Sequence, residues 1–206
     1  MIALFASALA SFLVIIDPPG CAPIFASLTA GTSAEHRRKM ALRSSLIAWC
    51  ILLFFALLGR PLLHALGITL ASFRLAGGIM LFIIALEMVF ERRTQRREER
   101  AHSVEGADDI SVFPMAIPMI AGPGSIATAM LLTSRAEGVG ETAIVLGAMS
   151  LVILLTLAAL LAAGPLMRLI GVKLEAMITR ILGVILAALA AQFVVDGLRQ
   201  SFPGLR

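Results

Sequence analysis

The sequence predicts an all-α membrane protein: six transmembrane helices in two inverted three-helix repeats, with helices one and four broken at Pro-Gly motifs. Three observations carry that expectation. The first is composition. Of 206 residues, 59% are hydrophobic and 15% are charged, against roughly 25% charged in soluble domains, and the mean hydropathy is +0.97. Apolar runs of about 18 residues or more mark membrane-crossing helices. The second is a repeated interruption. Pro19-Gly20 and Pro123-Gly124 lie 104 residues apart, and the same offset pairs Leu28 with Leu132, Thr29 with Thr133, Pro61 with Pro165 and Gly67 with Gly171. The third is the placing of Lys and Arg, which alternates from loop to loop.

Span one runs from Ile2 to about Ala30 and is broken at Asp17-Pro18-Pro19-Gly20. Proline lacks the N–H that a helix interior needs, and its ring crowds the preceding turn. Within lipid, a broken backbone is tolerated only where protein or a water-filled cavity satisfies the freed polar groups. A basic loop, Gly31–Arg43, leads to span two at about Leu42–Leu58, and a turn with Gly59, Pro61 and Gly67 leads to span three at about Ile68–Phe90. The polar segment Glu91–Asp109 reads as an exposed helix or flexible linker. Span four, about Val112–Ser134, is interrupted by Pro114, Pro118 and Ala121-Gly122-Pro123-Gly124-Ser125. Span five follows at about Thr142–Ala163, a turn with Gly164, Pro165 and Gly171 comes next, and span six covers about Val172–Leu198. The chain is thus one transmembrane domain over 1–206: repeat one at about 1–90, a charged linker at about 91–111, and repeat two at about 112–206.

Eleven of the 17 basic residues fall in the loops between spans one and two, three and four, and five and six; four fall on the opposite side. Cytoplasmic loops carry the Lys/Arg excess, so both termini are expected outside the cytoplasm. An odd number of spans per repeat then inverts the second copy relative to the first. Arg74 and Arg180 complete the count and lie inside spans. Long basic side chains can snorkel from there, but intramembrane charges are also functional candidates, here for gating or ion pairing. Gly77-Gly78 and Gly183 read as close-packing positions between helices.

Several function classes are unsupported. The net charge of +4 reflects orienting loop residues, so no nucleic-acid partner is expected. Cys21 and Cys50 make no disulfide framework. The three histidines show no metal-ligand spacing, and no phosphate-binding Gly-Lys loop is present. No cofactor, metal, catalytic residue or enzymatic step is expected. A paired-thiol electron carrier would need a cysteine in each broken span, but the counterpart of Cys21 is Ser125. The apolar N-terminus lacks a basic stretch and is not read as a cleaved signal peptide.

Inverted repeats with broken helices are the build of many secondary transporters, with the substrate near the midplane. Pro19 and Pro123 are each expected to begin a half-helix, since proline suits the first helical turn. Free N–H groups and the positive dipole end would then face the breaks and seat a carboxylate. Gly20, Gly122 and Gly124 would admit a ligand close to the backbone, and Ser125, Thr128, Thr29 and Thr133 could add hydroxyl contacts. Asp17 suits an N-cap, and beyond capping it could hold an ammonium group, a proton or a cation.

These residues carry a resemblance. Ile16-Asp17-Pro18-Pro19-Gly20-Cys21-Ala22-Pro23-Ile24-Phe25 resembles the first signature of the MarC (SNAT-type) family of six-span membrane proteins, and Pro114-Met115-Ala116-Ile117-Pro118-Met119-Ile120-Ala121-Gly122-Pro123-Gly124-Ser125 resembles its second. The resemblance spans nearly the whole chain. It implies a bacterial inner-membrane protein related to neutral amino acid transporters and exporters, and it falls on Asp17, Pro19, Gly20, Pro23, Pro118, Gly122, Pro123 and Gly124. It also implies Asn in much of the family where this chain has Cys21, which bears on specificity. The expected partners are an amino acid-like solute, a coupling ion or proton and the bilayer, with a homo-oligomer left open. The alternative is a membrane scaffold or partner subunit without transport.

Overall fold

A computed structural model describes residues 1–102 and 109–202, apart from the side chains of 94, 98, 100–102, 164–173 and 175. The described chain is helical: α1 (Ile2–Ile16), α2 (Pro18–Leu28), α3 (Ala34–Ala65), α4 (Leu70–Val89), α5 (Arg92–His102), an irregular proline segment (Ser111–Ile120), α6 (Pro123–Arg135), α7 (Gly138–Leu161) and α8 (Ala163–Ser201). Five stretches are long and apolar enough to cross a membrane, α1 and α2 together forming one of them; the proline segment with α6, bent by 53°, makes a sixth. Leu46, Phe54, Ile83, Leu154 and Val184 each expose more than half of their surface, as side chains facing lipid must.

The element boundaries depart from the sequence reading where helices outrun their apolar cores. α3 has 32 residues, about 48 Å of helix, against a hydrocarbon core about 30 Å thick. Its basic first turns, expected as loop, are therefore helix beyond the apolar zone. They start at Ser33, whose hydroxyl accepts the His36 N–H at 3.2 Å. Pro61 is taken up inside the helix, which ends at Ala65 and is followed, after Leu66, by Gly67 with a φ of +69°. The turn expected around Gly164–Gly171 is likewise helical backbone, continuous with α8.

α4 and α8 are the tightest pair, held together by missing side chains. A Cβ on Gly78 would meet Val194 N at 2.8 Å, one on Gly183 would meet Met88 Cβ at 2.9 Å, and one on Gly197 would meet Leu75 N at 2.8 Å. The contacts descend one helix as they ascend the other, so the pair is antiparallel. Gly78 and Gly183 are close-packing positions as expected, and so is Gly77, against α6, where a Cβ would meet Leu131 Cδ1 at 3.0 Å. α1 and α2 lie on α7, while the proline segment and α6 lie on α3. A buried core of Phe12, Ile15, Ile16, Phe25, Leu52, Leu81, Met115, Ile120 and Phe193 runs between them.

Candidate functional site

The first break is a single residue. Asp17 adopts φ 58°, ψ 67°, a left-handed conformation that Asp, with its short polar side chain, tolerates better than most residues. Pro18 and Pro19 supply no N–H, so the first free donor of α2 is Gly20, which donates to Asp17 Oδ1 at 3.2 Å. α2 thus begins at Pro18, one residue before the sequence-based start. Proline has a second consequence. In a continuous helix the Ile15 carbonyl would accept from residue 19, but Pro19 has nothing to give, and the Gly20 N–H that would serve Ile16 is turned to the cap.

Those two carbonyls are satisfied from 80 residues away in sequence. Arg93 Nη2 donates to the Ile15 carbonyl, and Arg97 Nη2 donates to that of Ile16 at 3.3 Å. Arg97 Nη1 also donates to Asp17 Oδ2 at 3.1 Å. Asp17 is 1% exposed and Arg97 5%, so this is a buried ion pair. The described part of the expected linker is therefore not simply exposed: α5 turns back beneath the break, Arg93 and Arg97 one turn apart on its inner face, while residues 103–108 lie outside the described residues. Sequence reasoning counted these arginines only as orienting charges. The available signal was the Ile15 carbonyl that Pro19 must orphan, together with the Ile16 carbonyl freed when Gly20 serves the Asp17 cap.

The second break faces the same region. Gly122 precedes Pro123 with no side chain to cap α6. A Cβ on Gly124 would meet Ile84 Cδ1 at 2.7 Å, and one on Gly122 would meet the Pro118 carbonyl at 2.5 Å, so both glycines permit close approach of backbone. Between this helix start, α4 and α5 lies a cavity of about 300 Å³, lined by Ile15, Met80, Ile83, Ile84, Glu87, Arg93, Arg96, Arg97, Pro118, Met119, Gly122, Pro123, Gly124 and Ser125. Glu87 pairs with Arg96. Burial, and then the neighbouring Arg97 charge, push the Arg93 guanidinium down to about 10, which leaves it protonated near neutrality.

The structure brings Pro118, Gly122, Pro123, Gly124 and Ser125 to the cavity wall. Asp17 lies behind Arg97, and Pro19, Gly20, Cys21 and Pro23 build the half-helix without lining the cavity. Gly20 is required there: a Cβ would lie 2.2 Å from Asp17 Oδ2 and 2.9 Å from Arg97 Nη1. The buried Cys21 thiol approaches the Ile16 carbonyl at 3.5 Å. Thr29 sits at the far end of α2 and donates to Phe25 O at 2.7 Å; Thr133 does the same to Ala129 O at 2.8 Å. Thr128 is fully buried and its hydroxyl has no hydrogen-bond partner among the described residues.

Arg180 pairs with Glu91 across the α8–α5 end of the bundle. Arg74 is 5% exposed with its Nε unsatisfied, near Arg135 and Asp196, which pair with one another. Arg135 also lies 4.6 Å above the Phe193 ring. Among the described residues no cluster of His, Cys, Asp and Glu could hold a metal ion.

Helices broken at prolines, with a charged pair and a cavity at the breaks, define a polytopic helical membrane protein with irregular backbone held by protein partners. Residues 2–202 match the sequence model of the MarC family integral membrane protein, and the chain belongs to that family. It is 35% identical over 197 residues to a UPF0056 membrane protein of Archaeoglobus fulgidus, covering 95% of this chain and 92% of the relative. It is 34% identical over 199 residues to UPF0056 membrane protein YvbG of Bacillus subtilis, covering 95% and 94%. It is also 32% identical over 193 residues to UPF0056 membrane protein YhcE of Escherichia coli, covering 93% and 90%. No solved structure matches the chain.

Proposed function

We propose that the protein is a secondary transporter, an exporter of small neutral amino acids or related metabolites, driven by an ion or proton gradient through alternating access. The observation that carries the reading is the cavity between the α6 half-helix start and the arginines of α5. A scaffold needs neither a cavity at a helix break nor buried charge beside it. The bilayer is bacterial inner membrane in this reading, with both termini outside the cytoplasm.

Two inverted repeats are supported by how the spans pack. The first broken span lies on α7 and the second on α3, its counterpart, while α4 and α8 pair antiparallel. α5, the connection between repeats, is the element that closes the cavity on its own side. Opening requires Arg97 to leave Asp17, which then becomes free to take a cation, a proton or a substrate ammonium. Separating a buried pair exposes each charge to an uncompensated low-dielectric site, so substrate or coupling ion must replace the lost partner.

The test is thermal stability of the purified protein against amino acids, followed by flux into vesicles. A ligand that binds only the folded state raises stability by mass action. Stabilisation by alanine, glycine or serine, with matching flux that Asp17→Asn abolishes, is the expected result. Neither stabilisation nor flux across a broad solute panel would leave the scaffold reading standing instead.

A further inference from the structure

Among the described residues the charges around the cavity do not balance, and the imbalance names a chemical group. Three arginines line it, Arg93, Arg96 and Arg97, together with one carboxylate, Glu87. Glu87 is taken by Arg96 and Asp17 by Arg97. Arg93 is left with neutral partners: the Ile15 carbonyl and, at 3.0 Å, the Met88 sulfur. It has no ion pair among the described residues, and it lies in a partly desolvated place where its charge is under-compensated.

The opposite wall adds to the same sign. α2 has its first free N–H capped by Asp17, but α6 begins at Gly122 with no side-chain cap. The first-turn N–H groups of Gly124 and Ser125 therefore open toward the cavity, at the positive end of a 13-residue helix. Ser125 is 2% exposed and lines the cavity, and its hydroxyl has no hydrogen-bond partner among the described residues. The remaining wall is apolar, from Met80, Ile83, Ile84 and Met119.

Resting on the solute-binding reading above, we infer that the group this cavity recognises is a carboxylate, held by Arg93, the α6 N-terminus and Ser125, and that an ammonium group adds little. Among the described residues, both acidic side chains that could meet an ammonium, Glu87 and Asp17, already hold guanidinium partners in this conformation. The ligand class is then small monocarboxylates with an apolar substituent, of which neutral amino acids are one subset. Arg93 offers a planar fork suited to a carboxylate, and about 300 Å³ admits a solute of only a few heavy atoms.

The experiment measures thermal stability of the purified full-length protein with alanine, propionate, lactate, alaninamide, sodium chloride and sodium phosphate at matched ionic strength. Propionate and lactate are expected to bind within about threefold of alanine, since the carboxylates of Glu87 and Asp17 that could meet its ammonium group already hold guanidinium partners, and alaninamide is expected not to bind. Arg93→Gln is expected to weaken propionate by about tenfold to a hundredfold, the range for a charge-assisted hydrogen bond, and Ser125→Ala by a smaller factor. Stabilisation by alanine but not propionate, or by alaninamide as well as alanine, overturns the inference and leaves the transporter reading intact. A shift reproduced by chloride or phosphate overturns it in favour of an adventitious anion only. No shift with any of these solutes overturns the inference, and the transporter reading is then decided by the flux measurement above. If Arg93→Gln does not fold, Ser125→Ala decides, because it deletes a hydroxyl with no hydrogen-bond partner among the described residues. Unchanged propionate affinity there overturns the inference.

Discussion

Asp17 does three things with one short side chain. It turns the backbone, caps α2 through Gly20 and holds Arg97. Removing one member of a buried ion pair strands the other, at about 3–5 kcal/mol, whereas removing both is far milder. Asp17→Asn is therefore expected to lower unfolding stability in detergent by about that amount, and adding Arg97→Gln should restore most of it. Equal instability of the single and double variants would show that the two charges are not coupled. Gly20→Ala tests the same geometry from the backbone side, because its methyl would meet Asp17 Oδ2 at 2.2 Å. We expect it to destabilise by about 1–3 kcal/mol, the range for overpacking, and a neutral Gly20→Ala would mean that α2 starts elsewhere. The cap was legible in sequence, because Asp before two prolines at a break has few other uses. Arg97 was not, since its partner is 80 residues distant and no local rule connects them.

Among elements, α5 and the α4–α8 pair show how much charge and size can mislead or inform. An eleven-residue helix carrying arginines at 92, 93, 96, 97 and 100 looks like a solvated connector. It is drawn inward because a broken apolar helix leaves acceptors that only nearby donors can satisfy. The glycines of α4 and α8 were easier to read, since small residues in membrane helices serve close approach. Gly183→Leu is expected to cost about 1–3 kcal/mol, against Gly147→Leu in α7, where a Cβ meets nothing within 4 Å and the effect should be close to zero. Comparable losses from the two changes in thermal unfolding would mean that α4 and α8 do not pack as described. Asp196 and Glu87, toward the ends of α8 and α4, hold Arg135 and Arg96. Span-end acids pair where a facing helix offers a base, and that facing cannot be read from either helix alone.

At the scale of the whole molecule, orientation is testable without any substrate. In the proposed orientation, which rests on the Lys/Arg excess, α5 lies on the cytoplasmic side and the start of α7, where Val139 is 87% exposed, on the other. In a cysteine-free background in spheroplasts, Val139→Cys is expected to react with an impermeant maleimide, and Gln95→Cys to react only after permeabilisation. The reverse pattern would invert the topology. Sequence alone determined the membrane class, the two interruptions and the small-residue packing positions. Each of these follows from local rules: apolar length, proline chemistry and side-chain volume. Tertiary structure alone decided that α5 returns to the first break, that Arg97 neutralises Asp17 and that Arg93 faces the uncapped start of α6 across a cavity. Those are contacts between segments far apart in the chain, selected by which orphaned acceptor a folded bundle brings within reach of which donor.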